Sequence, residues 1–417
     1  MTDHENVEFQ EIEGEIELSP PEIYAANLIE WAVDQHASDL FVSDSEHSVI
    51  IAIRRLGKVQ TVRRLARDYG HKLQGHLRVI AGSDAGDMLR PTEGRGVLHT
   101  PNGSKVDLRL STLPTLFGQD VTIRLFDPVR GTRALPNLGY DSHELEIIRS
   151  MIAKPAGLIL VAGPVASGKS STLYAAIDAL NDGTRKIHTL EDPIEHGIPG
   201  VMQSQVNLRI GLDFADLLAV VLRHSPDVIM IGEIRDARTA NTAIRAGISG
   251  QLVLATIHAK SAAEAIDSLV QYDANTKFIA RSLVGVINQR LIRTLCPKCK
   301  QASSRSAAEV PERLTSRVPT APEHLHHAVG CEACFNEGYE ELSCVSEILQ
   351  NSGEIEEAIA TSQPAATIDT IAKQQGMLSL AETIATRVLR GETSLVEAQR
   401  CAPDPLFLNL ERSPIDS

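Results

Sequence analysis

The sequence predicts an α/β protein: a smaller α+β domain followed by a doubly wound, mostly parallel sheet. Three observations carry this. Past residue 150, apolar strand-length runs ("GLILVAG", "KIHTLED", "VIMIGEI", "GQLVLATIH") alternate with helical patterns. Before residue 130, short strands follow one another with few helices between them. Between the two regions, "DPVRGTRALPNLGY" carries the Pro, Gly and Asn of a linker.

The chain has 417 residues, room for two or three domains, and its 43% apolar content supports a sizeable core. Residues 1–20 read as an acidic tail. Asp3, Glu5, Glu8, Glu11, Glu13, Glu15 and Glu17 stand there without a Lys or Arg. Such a run is a solvated tail by composition. The alternation in "EIEGEIEL" leaves open a strand that docks on a partner.

Residues 21–128 form the expected N-terminal α+β domain. It opens with a helix over "SPPEIYAANLIEWAVDQHA", capped by Ser19, with Pro21 in its first turn and a stripe of Ile23, Leu28, Ile29 and Ala32. Strands follow at "SDLFVSD", "SVIIAIRRLG" and "KVQTVRRL", a helix at "GHKLQGHLRVIAG", and strands at "GRGVLHT", "SKVDLRLSTLP" and "QDVTIRLFD". The linker spans 129–140 and the alternating strand–helix core 141–295. A cysteine-bearing segment covers 296–345. From 346 to 417 the pattern is amphipathic helix, with a break at "ATSQPAAT" and turns at Gly376 and Gly391.

Charge and composition exclude several classes. A net charge of −14 argues against a general nucleic-acid binder, which needs a basic face to displace counterions. The N-terminus has no basic-then-apolar leader, and no apolar run approaches the roughly 20 residues that span a bilayer. The expected location is the cytoplasm or the inner face of the membrane. Six cysteines in that compartment read as thiols or metal ligands.

The central motif is "GPVASGKSSTLY". Gly163-x-x-x-x-Gly168-Lys169-Ser170 is the skeleton of a phosphate-binding loop, and it sits between a buried strand and a helix. The residues expected to hold nucleotide are Gly163, Pro164, Val165, Ala166, Ser167, Gly168, Lys169, Ser170 and Ser171. Lys169 would reach the outer phosphates of ATP, and the Ser170 hydroxyl would meet Mg2+.

Other strand ends should converge on this loop. "VIMIGEIRD" delivers Glu233 to the carboxyl edge of the sheet, where doubly wound folds bind ligands. The alternative for Glu233 is a helix N-cap. "HTLEDPIEH" presents Glu191, Asp192 and Glu195, three acids that could hold magnesium through water and orient an attacking water. "LVLATIH" ends in His258, which would sense the γ-phosphate.

Cys296-Pro-Lys-Cys299 and Cys331-Glu-Ala-Cys334 make two CxxC knuckles. Two knuckles close a tetrahedral four-thiolate site, and one with no open position is structural Zn2+ by ligand type and spacing. A redox pair is the alternative.

"GPVASGKSSTLY", "TLEDPIEH", "SPDVIMIGEIRDARTANTAIRAGISGQLVLATIHA" and "VINQRLIRTLCPKCK" together resemble the type II secretion and type IV pilus assembly ATPases, from about residue 22 to 400. "ASDLFVS", "RPTEGR" and "VDLRLSTLPTLFGQDVTIRLF" resemble that family's N-terminal segments. The resemblance implies a PAS-like N-terminal domain, a RecA-like P-loop ATPase domain and a tetracysteine zinc subdomain. It implies that Arg109 and Arg124 contact phosphate, that Glu195 activates water, that Glu233 is the magnesium-side acid and that His258 belongs to the family's histidine box. It implies a homo-hexamer, peripheral at the plasma membrane through inner-membrane secretion or pilus platform proteins, with no direct nucleic acid. The cysteines favour assembly or secretion over retraction, whose motors lack them.

The sequence departs from that family in places. Val165-Ala166 replaces Thr-Gly in the loop, and Gln251 replaces the first histidine of the histidine box. Ser225 replaces an Asp, "GQD" at 118–120 replaces Gly-Glu-Lys, and "GYEELSC" replaces a basic segment. An Ala held at positive φ costs on the order of 1 kcal/mol, little beside the binding of a triphosphate. The member implied is short at its front, with the acidic tail or another arrangement serving to dock it. Three classes follow: a motor hydrolysing ATP, a nucleotide-gated scaffold with weak turnover, and a DNA-uptake motor.

Overall fold

Alternation builds the first unit. Along β5 (Lys105–Thr115), Val106, Leu108, Leu110 and Thr112 are buried while their neighbours are not, as a period of two requires. The computed structural model describes residues 19–84, 86, 88–100, 103, 105–126, 133–307, 310–318 and 320–407. Residues 1–18 of the acidic tail, 127–128 and the first part of the linker, 129–132, lie outside the described residues. The chain divides into two units, Met1–Gly131 and Thr132–Ser417.

In the first unit, β1 (Asp39–Asp44), β2 (Ser48–Arg55), β3 (Lys58–Ala66), β4 (Thr92–His99), β5 and β6 (Gly118–Phe126) form one antiparallel sheet, in the order β3-β2-β1-β6-β5-β4. The helices Pro21–Asp34 and Arg67–Ile80 share its core through Tyr24, Leu28, Ile29, Leu73 and Leu77. Ser19 is not the cap of the first helix. Pro20 stands at the N-cap with no side-chain bond, and the Ser19 carbonyl accepts from the Tyr69 hydroxyl at 2.5 Å. A proline at the first helical position needs no partner for its absent N–H.

The alternation that buries Leu108 and Leu110 turns Arg109 away from the core. Register then aligns Arg95, Arg109 and Arg124 across three adjacent strands, with Asp39 opposite Arg124 on the fourth. Asp39 pairs with Arg124 at 3.4 Å and with Arg54 at 3.3 Å.

The second unit holds a seven-stranded sheet in the order β15-β12-β7-β11-β10-β8-β9. Its strands are β7 (Gly157–Ala162), β8 (Ile187–Glu191), β9 (Met202–Gln205), β10 (Val228–Ile231), β11 (Leu252–Ile257), β12 (Leu283–Leu295) and β15 (Tyr339–Gln350). All pairs are parallel except β12–β15. Every residue of β7, β8, β10 and β11 is buried. That is what helices on both faces impose, and it is why these strands read as continuous apolar runs. A short hairpin, β13 (Gln301–Ser306) with β14 (His324–His327), stands apart.

The region from 346 does not begin as helix. Residues Cys344–Leu349 are buried on both faces as part of β15, and the first helix of the region starts at Gly353. A break at Thr361–Pro364 and positive-φ turns at Gly376 and Gly391 separate the helices that follow.

The terminal helix Leu395–Cys401 is pinned to β12 by a buried ion pair. Arg293 gives its backbone N–H, Nε and Nη2 to Glu397 at 3.0, 2.8 and 2.6 Å, and Arg400 adds Nε and Nη2 at 2.8 and 2.6 Å. Burial alone would push the Glu397 carboxyl up; the Arg400 and Arg293 hydrogen bonds outweigh it and hold it at about 2. A folded pKa below the unfolded one gives stability present above the ordinary glutamate range and lost as pH falls toward about 2. Glu397→Gln, which leaves Arg293 buried without its carboxylate, is expected to cost on the order of 3 kcal/mol near neutral pH. It should also flatten the acid limb of the pH–stability curve. Thermal denaturation of both proteins from neutral to acid pH measures this, and equal acid slopes would contradict it.

Candidate active site

The loop after β7 takes its shape from three positive-φ residues: Gly163 at 146°, Ala166 at 59° and Gly168 at 85°. Gly163 has no room for a side chain, since a Cβ there would lie 2.6 Å from the Gln289 carbonyl and 2.5 Å from Ser167 Oγ. Gly168 is the N-cap of the helix Lys169–Leu180, in the left-handed region. The first N–H groups of that helix have no intrahelical partner and open toward any anion in the loop. Ser167 is buried and donates its hydroxyl to the Pro164 carbonyl at 2.9 Å.

Lys169 lies back across the loop, its Nζ donating to the Gly163 and Pro164 carbonyls at 2.9 and 2.7 Å. Burial lowers its pKa below the ordinary lysine value, while Glu233 opposes the shift. An ammonium held by two carbonyls on a phosphate loop is poised to exchange them for phosphate oxygens.

A cavity of about 300 Å³ opens at this loop. Val165, Ala166, Lys169 and Ser170 line one side. The ends of β8, β10 and β11 supply the other, through Glu191, Asp192, Glu195, Glu233, Arg235 and His258. Gly163, Pro164, Ser167 and Gly168 shape the loop and Ser171 stands in the helix after it, none of them lining the cavity. Arg109 and Arg124 belong to the first unit.

Glu233 accepts from Arg235 Nε at 2.6 Å and pairs with His258 Nε2 at 2.7 Å. His258 Nδ1 lies 3.2 Å from the Gly163 carbonyl. His258 thus touches both the loop and the acid at the end of β10. The helix-capping alternative for Glu233 falls away, because Asp236 caps the helix Ala237–Ile248 through the Thr239 N–H. Arg235 reaches Asp192 at 3.5 Å, and the Glu233 hydrogen bond raises its pKa above the ordinary arginine value.

Glu191 departs from the expected trio of acids. It is buried and accepts from Thr189 Oγ1 at 2.5 Å, from Gln203 Nε2 at 3.0 Å and from the Tyr174 hydroxyl. Its place in the chain explains this: Asp192 and Glu195 follow β8 into the loop, whereas Glu191 is still in the strand, every residue of which is buried.

Two further residues bear on the site. Arg235 stands in the quoted motif, and a cation two residues after a strand-end acid was signal enough. Gln289 gave no signal, although it stands in the quoted "VINQRLIRTLCPKCK", because an amide in a strand carries none of its own. It is fully buried on β12, donates Nε2 to the Ser167 carbonyl at 2.8 Å, and accepts the Tyr140 and Thr172 hydroxyls at 2.8 and 2.9 Å.

The four cysteines converge. Cys296 directly follows β12 and Cys331/Cys334 precede β15, so the antiparallel β12–β15 pair brings the knuckles together. Their sulfurs all lie within 4.8 Å of one another, Cys296–Cys331 at 4.0 Å and Cys299–Cys334 and Cys331–Cys334 at 3.7 Å. A tetrahedron of ~2.3 Å metal–sulfur bonds has edges of about 3.8 Å, so the set fits one zinc ion. Backbone N–H groups of Gly330, Cys331 and Gly338 point at the sulfurs of Cys299 and Cys334, where they would stabilise negative charge on metal-bound thiolates.

Loop, strand-end acids and doubly wound sheet define a P-loop nucleoside triphosphatase. Residues 15–400 match the family described as type II/IV secretion system protein, and the chain belongs to that family. It is 36% identical over 369 residues to type II secretion system protein E of Pseudomonas aeruginosa, covering 88% of this chain and 73% of that protein. It is 34% identical over 384 residues to the type IV pilus assembly ATPase PilB of Thermus thermophilus, covering 92% of this chain and 43% of that longer one. The structure of the ATPase DotB of Legionella pneumophila superposes with a TM-score of 0.70 at 20% identity, over 94% of this chain and 98% of that one, a likeness of fold.

The loop geometry sets a prediction. Gly163→Ala should weaken nucleotide binding by about tenfold or more, because the new Cβ meets the Gln289 backbone carbonyl as well as the buried Ser167 side chain. Ala166→Gly should change it by no more than about twofold, since the native residue already tolerates the left-handed conformation. Titration with a fluorescent nucleotide measures both, and the reverse order would contradict it.

Proposed function

We propose that this chain is a motor ATPase that hydrolyses ATP to ADP and phosphate and powers type II secretion or type IV pilus assembly. The observation that carries it is the meeting of Lys169, Ser170, Glu195, Glu233 and His258 around one cavity at the carboxyl ends of β7, β8, β10 and β11. Relatives named for secretion and pilus assembly over most of the chain support the choice of machinery.

In this reading the loop amides and Lys169 bind the phosphates. Ser170 and Glu233 stand on the Mg2+ side, and bound Mg2+ would neutralise the charge on the phosphoryl oxygens. Glu195 takes the proton of the attacking water. His258, in contact with Glu233 and with the loop, reports the state of the γ-phosphate. Arg109 and Arg124, joined in register by Arg95, add positive charge to the transferred phosphoryl group.

The four cysteines hold a structural Zn2+, by their separations and thiolate chemistry. The active form is a homo-hexamer at the cytoplasmic face of the plasma membrane, docked on inner-membrane platform proteins. Among the described residues, no helix is long and apolar enough to cross a membrane.

Lys169→Ala should abolish turnover. Glu195→Ala should leave ATP binding within about twofold and lower turnover by about a hundredfold or more. Unchanged turnover in Glu195→Ala would remove Glu195 from its role. Elemental analysis of fresh protein should find about one zinc per chain, and Cys299→Ser should release it and lower the melting temperature. Metal well below one equivalent would contradict the zinc assignment.

A further inference from the structure

Tyr174 sits in the helix that follows the phosphate loop, with 6% of its surface exposed. Its ring lies in the core of the second unit, 4.3 Å from the His196 ring, centroid to centroid. Its hydroxyl is a junction. It donates to the Glu191 carboxylate and accepts the Glu195 backbone N–H at 3.1 Å. Burial first, and the Glu191 hydrogen bond second, raise its pKa well above the ordinary tyrosine value, so the hydroxyl keeps its proton. A phenol has one proton to give. With that proton directed to Glu191, only lone pairs face the Glu195 N–H, and the direction of both bonds is fixed.

Glu191 is anchored in turn. Thr189 and Gln203, on the neighbouring strands β8 and β9, both donate to its Oε1. A buried carboxylate is tolerated where donors surround it, and here they also hold it still. The segment after it, 192–200, has neither strand nor helix. Its backbone therefore takes its position from bonds to neighbouring elements, and the Tyr174 hydroxyl supplies one at the residue that matters for hydrolysis.

We infer that Tyr174 and Glu191 are positioning residues for Glu195: Glu191 fixes the Tyr174 hydroxyl, the hydroxyl fixes the Glu195 backbone, and neither side chain ligates the metal. This deepens the proposed function and rests on Glu195 as the water-activating group. A general base works only within hydrogen-bond reach of its proton, so a displaced backbone costs rate while leaving nucleotide affinity intact.

The test uses the full chain and compares Tyr174→Phe, Glu195→Gln and the double variant, with melting temperature and nucleotide binding as folding controls. Tyr174→Phe keeps the ring and removes only the hydroxyl. It should lower kcat about tenfold and leave the KM for ATP and the magnesium requirement within about twofold. In the Glu195→Gln background, followed by single-turnover rate, the same change should add less than about twofold, because its target is already gone.

Glu191→Gln should likewise leave the magnesium requirement within about twofold, whereas loss of a metal ligand would raise it about tenfold or more. Normal turnover in Tyr174→Phe beside a disabled Glu195→Gln overturns the relay alone. So does a tenfold effect that persists in the double variant, or a raised magnesium requirement in Glu191→Gln. Normal turnover in Glu195→Gln itself overturns the reading of Glu195, and the relay with it.

Discussion

The phosphate loop depends on one amide behind it. Gln289 joins the Ser167 carbonyl to the Tyr140 and Thr172 hydroxyls, and all four groups are buried or nearly so. A loop that carries Ala166 in the left-handed region stores strain of about 1 kcal/mol. Such a conformation persists only where the surroundings determine it. Gln289 does so from below, through its side chain at Ser167 and its backbone carbonyl against Gly163. The amide has no idle donor or acceptor left, since each end is committed to a partner. Truncating it would leave a buried carbonyl and one proton of the two hydroxyls, which also bond each other at 2.9 Å, without a partner, each a cost of about 1–3 kcal/mol.

That amide also ties the loop to the rest of the second unit. Tyr140 is the last residue of the linker, and its neighbour Gly139 offers its carbonyl to Arg387 at 2.6 Å and to Ser343 at 3.2 Å. Arg387 continues to Glu144 at 3.0 Å, which takes the Ser346 hydroxyl and N–H at 2.5 and 3.0 Å. The end of the linker is therefore bonded to the phosphate loop on one side and to β15 and the helix Leu380–Leu389 on the other. β15 pairs with β12, which carries Gln289 at one point and Cys296 just past its end. The cysteine knuckles, the helical end and the loop thus share one strand pair as their frame.

Much of this was legible in the sequence, for identifiable reasons. The buried strands β7, β10 and β11 read as apolar runs because a parallel sheet covered on both faces leaves no polar position to blur them. The loop, Glu233, His258 and the cysteines were legible because their chemistry demands particular residue types at fixed spacing. What failed to show was anything set by long-range pairing. β15 alternates Ser and Glu with apolar residues, and Ser346 and Glu347 are buried only because Glu144, Ala262 and Leu380 bring partners from distant segments. Gln289 is silent for the same reason, its partners lying more than a hundred residues away. Glu191 misled because three acids in a short run look equivalent until the strand ends between the first and the second.

This last distinction bears on how the departures in the loop and in the histidine box act. Ala166 lies in the loop and Gln251 stands just before β11, at the opposite end of that strand from His258; the Glu191–Tyr174–Glu195 hydrogen bonds and the Glu233–His258 pair are made by other residues. The first histidine of the box is gone, yet the second keeps both contacts that link acid to loop. Substitutions that spare these bonds shift loop strain by about 1 kcal/mol. Loss of a base or its positioning acts on the barrier itself, where each 1.4 kcal/mol is about a tenfold change in rate. Ala166 thus falls where binding energy is abundant, and the residues proposed to activate and position the attacking water keep their hydrogen-bond partners.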